Sequence, residues 1–192
     1  RFLHKEVIRQ ETYVMDSLKA RDKEESFVID KKVSEAFMYA FEKEMARKSE
    51  TGKFSFSKGQ REAYKMMTTD KGAVCNIEGR AGAGKSTVLE AVKELMEAQG
   101  KEVWGISTSG AATKNLAEST KLEKGKFNNT TLFNIMLDSG KLKLNSKSIV
   151  LWDEAGMADS KTFYQVVKHI NEAGAKLVLI GESEQLQSVG HG

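Results

Sequence analysis

Two hydrophobic rhythms divide the chain. Over residues 1–50, Val7, Ile8, Val14, Met15 and Leu18 recur at roughly helical spacing, and Val33, Phe37, Ala40, Phe41 and Met45 do the same. This pattern predicts two amphipathic helices joined near SFVID (26–30), with Asp30 placed to cap the second. Stripes of this kind serve helix packing. Gly52 and the polar residues around it mark a boundary.

Past that boundary the apolar residues come in short unbroken runs: AVCNIE (73–78), KEVWGIS (101–107), SIVLWDE (148–154) and AKLVLIGE (175–182). Stretches of helical pattern at 86–98, 110–118 and 159–172 separate them. Continuous apolar strands alternating with helices predict a parallel sheet covered on both faces. A further helix over 58–67 is expected to open with Ser57 and Gln60 as a capping box. Residues 119–147 are polar and read as irregular, ordered only at TLFNIML (131–137).

Composition changes this picture little. A chain of 192 residues can build one substantial core with a small unit appended. No apolar run is long enough to span a bilayer and no secretory pattern opens the chain, so no membrane partner is expected. The single Cys75 excludes an internal disulfide and a multi-cysteine metal site, and it fits a reducing, cytoplasmic setting. His4, His169 and His191 are scattered and suggest no metal centre. A net charge of +3 is compatible with nucleic-acid binding without arguing for it. Arg1 in place of an initiating Met is what a fragment or a processed start would give.

Chemistry enters at GRAGAGKST (79–87), between the strand 73–78 and the helix 86–98. Gly79, Gly84, Lys85 and Ser86 fit GxxxxGK[ST], the phosphate loop. Several backbone N–H groups must meet a polyphosphate at once, and side chains would block them. A loop of Gly79, Arg80, Ala81, Gly82, Ala83 and Gly84 leading into Lys85, Ser86 and Thr87 answers that need. The helix N-terminus adds partial positive charge. Lys85 would reach the β- and γ-phosphates, and the Ser86 hydroxyl would bind Mg²⁺. IVLWDEA (149–155) ends a strand in two carboxylates. Asp153 would hold Mg²⁺ through water, and Glu154 would orient and deprotonate an attacking water. Taken alone, two carboxylates where a strand ends can also be simply solvated.

FSFSKGQREAYKMM (54–67), GRAGAGKST, WDEAGM (152–157) and LVLIGESEQLQSVG (177–190), in that order and spacing, resemble a superfamily 1 helicase. More narrowly they are similar to the RecD-like helicase part of TraA/MobA-type conjugative relaxases. The resemblance covers about 54–192. It implies an α/β fold of the P-loop NTPase, RecA-like kind: a three-layer parallel sheet with helices on both faces. The expected division is a helical N-terminal segment, 1–52, and a first motor lobe, 53–192.

The resemblance also implies roles. Gln60 matches the glutamine that recognises adenine, so ATP with Mg²⁺ is the expected ligand; the capping-box reading of the same residue stands beside it. Gln185 matches a contact to the γ-phosphate, and Glu182 stands where an aspartate is usual. Lys85, Asp153, Glu154 and Gln185 form the implied catalytic set. GISTSGAATKNL (105–116) lies where a first DNA-strand motif is found, which nominates Thr108, Ser109 and Gly110 for single-stranded DNA, although Ala111 replaces the usual lysine. Ser109 can equally be a simple N-cap. Thr131, Leu132 and Phe133 match a second strand-contacting turn in which Phe133 replaces a histidine; Phe133 can stack on a base or be buried. Trp152 reads as core.

The resemblance implies partners: a second helicase lobe supplying arginine fingers, and a relaxase domain. Neither is expected in this chain, so the lobe should bind nucleotide and hydrolyse it poorly by itself. Two other readings stand beside this one: a non-catalytic nucleotide-responsive binding module, and an unrelated P-loop ATPase or kinase.

Overall fold

Each apolar run of the second rhythm becomes a strand, and each helical stretch becomes a helix over the sheet. A computed structural model describes residues 2–79 and 84–181, without the side chains of the first two. Helices α1 (Phe2–Ala20), α2 (Lys31–Lys48) and α3 (Lys58–Thr69) precede strand β1 (Val74–Glu78) and helix α4 (Lys85–Ala98). Then follow β2 (Glu102–Ser107), α5 (Gly110–Thr120), β3 (Phe127–Asn129), α6 (Thr130–Asp138), β4 (Ser148–Asp153), a 3₁₀ turn (Ala155–Met157), α7 (Ser160–Ala173) and β5 (Lys176–Gly181).

Local chemistry sets the helix ends. The Asp30 carboxylate accepts from the N–H groups of Lys32 and Val33 and starts α2. Ser57 and Gln60 close a reciprocal capping box at α3. Asp159 caps α7, which stops at Gly174 in the left-handed conformation.

The five strands form one all-parallel sheet in the order β1-β5-β4-β2-β3. Its centre is apolar on both faces: Ile149, Val150, Leu151 and Trp152 of β4 are all buried. On one face Ile77, Leu151, Val178 and Ile180 pack with Val88, Val92 and Leu95 of α4. On the other, Trp104, Trp152 and Leu179 pack with Phe163, Val166 and Ile170 of α7 and Phe133 of α6. The N-terminal helices share these cores. Met38 and Phe41 of α2 join the first cluster, while Val14 of α1 joins the second. Tyr13 of α1 meets Tyr164 of α7 edge-on at 5.4 Å.

Two long-range features refine the pattern read from the chain. Residues 127–129, expected to be irregular, are a strand paired with β2, with Gly105 opposite Phe127. FNN carries no apolar period, so its strand conformation comes from its neighbour, whose Gly105 N–H donates to the Lys126 carbonyl at 2.8 Å. Lys176 is buried at the start of β5, where its ammonium donates to the Met67 carbonyl at 2.9 Å. Desolvation pulls its pKa below the ordinary lysine value. Among the described residues no helix is long and apolar enough to cross a membrane.

Candidate nucleotide and strand-binding site

Because all strands run the same way, every loop that follows a strand emerges at one edge of the sheet. That carboxyl edge is where open α/β sheets bind ligands. β1 delivers Gly79 there and β4 delivers Asp153 and Glu154. β2 delivers Thr108–Gly110, and β3 delivers Thr130 and Thr131.

The first link is between α4 and β4. Lys85 Nζ lies 2.7 Å from Asp153 Oδ1, although 68 residues separate the two in sequence. Both side chains are mostly buried, so the pair is partly desolvated. Gly84 precedes Lys85 with φ 73°, and a Cβ there would lie 2.2 Å from Gln60 Nε2. Among the described residues no side chain caps α4, and first-turn N–H groups without such a cap suit an anion. Lys85, Ser86 and Thr87 occupy that turn and are half-buried. The hydroxyl of Ser86 and the carboxylate of Asp153 are hard oxygen donors of the kind Mg²⁺ takes. The residues present therefore fit a magnesium-bound polyphosphate.

The second link holds the turn after β4. Asp153 Oδ1 also accepts from the Glu154 N–H at 2.9 Å, and the Asp153 carbonyl accepts from Ser107 Oγ at 3.0 Å. Glu154 is exposed and left-handed at φ 56° and ψ 37°. That conformation is uncommon for a side chain larger than glycine's, and the surrounding contacts must hold it. The Glu154 carbonyl then accepts from the Met157 N–H at 3.0 Å.

The third link is Gln60. Its Oε1 accepts from the Ser57 N–H at 2.8 Å while Nε2 donates to the Gly84 carbonyl at 3.1 Å. The side chain thus caps α3 and ties it to the start of α4. Among the described residues, one N–H and one lone pair of the amide remain. Gln60 lines a cleft of about 570 Å³ with Ala63, Met66, Ile77, Gly79 and Lys85. That size suits a small-molecule ligand.

The residues nominated for a nucleic-acid strand separate into two groups. Thr108 is half-buried, while Ser109, Gly110 and Thr131 are exposed. Ser109 caps α5, accepting from the Ala112 N–H at 3.1 Å, and its own O–H can still donate. Phe133 is fully buried and Trp152 stacks on Phe163 at 5.4 Å, so neither ring can receive a base. Burial also pushes the Cys75 thiol up to about 11, which makes it an inert packing group. Arg80, Ala81, Gly82, Ala83, Glu182 and Gln185 lie outside the described residues. Sequence reasoning did not pick out Ser107. The signal open to it was a hydroxyl ending an apolar strand, directly before Thr108.

Fold and geometry together define a P-loop α/β protein. The chain belongs to the AAA domain family, which matches residues 55–192. It is 38% identical over 117 residues to a probable conjugal transfer protein TraA of Sinorhizobium fredii. It is 34% identical over 116 residues to the conjugal transfer protein TraA of Agrobacterium fabrum, and as much to that of Rhizobium radiobacter. Each match covers 60% of this chain and 10% of the relative, so the matched part is about a tenth of those proteins. The resemblance to a TraA-type helicase lobe read from the motifs is thereby shown.

Proposed function

We propose that this chain is the first motor lobe of an ATP-dependent DNA helicase acting in conjugative transfer. The Lys85–Asp153 contact of 2.7 Å carries the reading, because it brings the phosphate-binding cation and the metal-side carboxylate to one point. In this reading Gly79–Thr87 wrap the phosphates and Lys85 faces the β- and γ-oxygens. Ser86 and Asp153 would hold Mg²⁺, which when bound neutralises charge on the phosphates. Glu154 takes the proton of the attacking water, and Gln185 senses the γ-phosphate. Gln60 reads adenine with the N–H and lone pair that its cap leaves over. Thr108, Ser109, Gly110 and Thr131 offer hydroxyl and backbone donors to the phosphates of single-stranded DNA. The names of the TraA relatives support the setting, in which a second lobe and a relaxase domain of a longer protein are the partners. A cytoplasmic location follows from that role.

Titration calorimetry with ATP and Mg²⁺ tests the site. Lys85→Ala is expected to abolish measurable binding while circular dichroism stays unchanged. Equal affinity in the variant and the wild type would overturn the assignment.

A further inference from the structure

Ser107 sits between the two halves of this edge. It is the last residue of β2, fully buried, and the next residue in the chain is Thr108. Its hydroxyl donates to the Asp153 carbonyl across 46 positions of sequence. The peptide that joins Asp153 to Glu154 is therefore held at both ends. Its carbonyl oxygen is gripped by Ser107, and its N–H is gripped by the Asp153 carboxylate at 2.9 Å. This peptide leads into the left-handed Glu154, whose backbone conformation needs such restraint. The same carboxylate carries the ion pair to Lys85. On its other side Ser107 leads through Thr108 into Ser109, which caps α5 by accepting from the Ala112 N–H at 3.1 Å. From the turn 108–110, exposed at Ser109 and Gly110, the 153–154 peptide is thus one covalent step and one hydrogen bond away. A displacement of the turn that carries Ser107 with it moves the hydroxyl, and with it the 153–154 peptide.

We propose that Ser107 is a positioning residue that couples a nucleic-acid strand seated on Thr108–Gly110 to the aim of Asp153 and Glu154. It touches neither ligand. The inference rests on the nucleotide and strand sites proposed above and adds the element that links them. By thermodynamic linkage, the strand must then change nucleotide affinity, and the nucleotide must change strand affinity by the same factor.

The test is a binding cycle on the chain as it stands. The dissociation constant of a non-hydrolysable ATP analogue with Mg²⁺ is measured with and without saturating oligo(dT). In the wild type, oligo(dT) is expected to change it about fivefold or more. In Ser107→Ala the ratio falls to near one, while the nucleotide constant without oligo(dT) stays within about twofold of the wild type. Ser107→Thr keeps the hydroxyl and restores the coupling; a purely structural role would raise the dissociation constant both with and without oligo(dT) and lower the melting temperature. An unchanged ratio in Ser107→Ala overturns the proposal, as does a wild type that binds both ligands without coupling. Failure of the wild type to bind the analogue at all would instead overturn the nucleotide site. Failure to bind oligo(dT) would overturn the strand site and, with it, this coupling.

Discussion

Gln60 does two things with one amide. It closes the capping box with Ser57, and it reaches 3.1 Å to the Gly84 carbonyl. Gly84 is small for the same reason: a methyl group there would sit 2.2 Å from Gln60 Nε2, on a backbone already left-handed. Removing the amide leaves the Ser57 N–H without its acceptor and unties α3 from the phosphate loop. Gln60→Ala is expected to cost about 1 kcal/mol of stability in urea denaturation. It should also erase the preference for ATP over GTP in a competition assay. A variant that keeps the preference would leave this side chain with the cap and the tie to Gly84 alone.

α7 is an amphipathic helix whose Phe163, Val166, Val167 and Ile170 are buried at the i, i+3, i+4, i+7 spacing. Phe163 lies against Trp152, one residue before Asp153, so this helix backs the strand that ends in the candidate metal-side carboxylate. Its start depends on Asp159, which accepts from the Thr162 N–H at 2.7 Å. That backbone hydrogen bond holds the Asp159 carboxyl below its ordinary pKa. A lowered folded pKa means stability present above the unfolded value, about 3.9, and lost as pH falls through the folded one. Asp159→Ala should therefore destabilise the protein by about 1 kcal/mol at neutral pH. The gap between variant and wild type should close at about pH 2, where both lack the charged cap. Denaturant midpoints at the two pH values check this; a gap that persists in acid would rule out the charged cap as the cause.

Among the described residues the strands form one parallel sheet, with the candidate chemistry along its carboxyl edge. In the proposed reading Glu154 supplies the base, but the positive charge needed on the far side of the γ-phosphate belongs to a second lobe. Turnover by this chain alone is expected near background, with or without single-stranded DNA. Supplying the second lobe should raise it by about 10³–10⁵. Phosphate release measured for the chain, for its Glu154→Gln variant and for the two-lobe protein makes the comparison. Robust turnover by the chain alone, lost in Glu154→Gln, would mean that the charge comes from within or from a second copy.

Much of this was legible along the chain because it is written in near-neighbour relations. The helical stripes, the caps at Asp30 and Ser57, the strand runs, the phosphate-loop spacing and the pair Asp153-Glu154 each lie within a few residues. Periodicity and turn chemistry act over that range. The tertiary structure alone decided the rest, because those contacts join distant residues whose local sequence carries no mark of the partner. β3 becomes a strand only because β2 lies beside it. Phe133, which the sequence left open between base stacking and burial, is buried against α7 and the sheet. Lys85 meets Asp153 across 68 residues, Ser107 meets it across 46, and Gln60 meets Gly84 across 24. The sequence by itself determined which groups the molecule carries and which elements hold them; the order of the strands determined which of those groups touch.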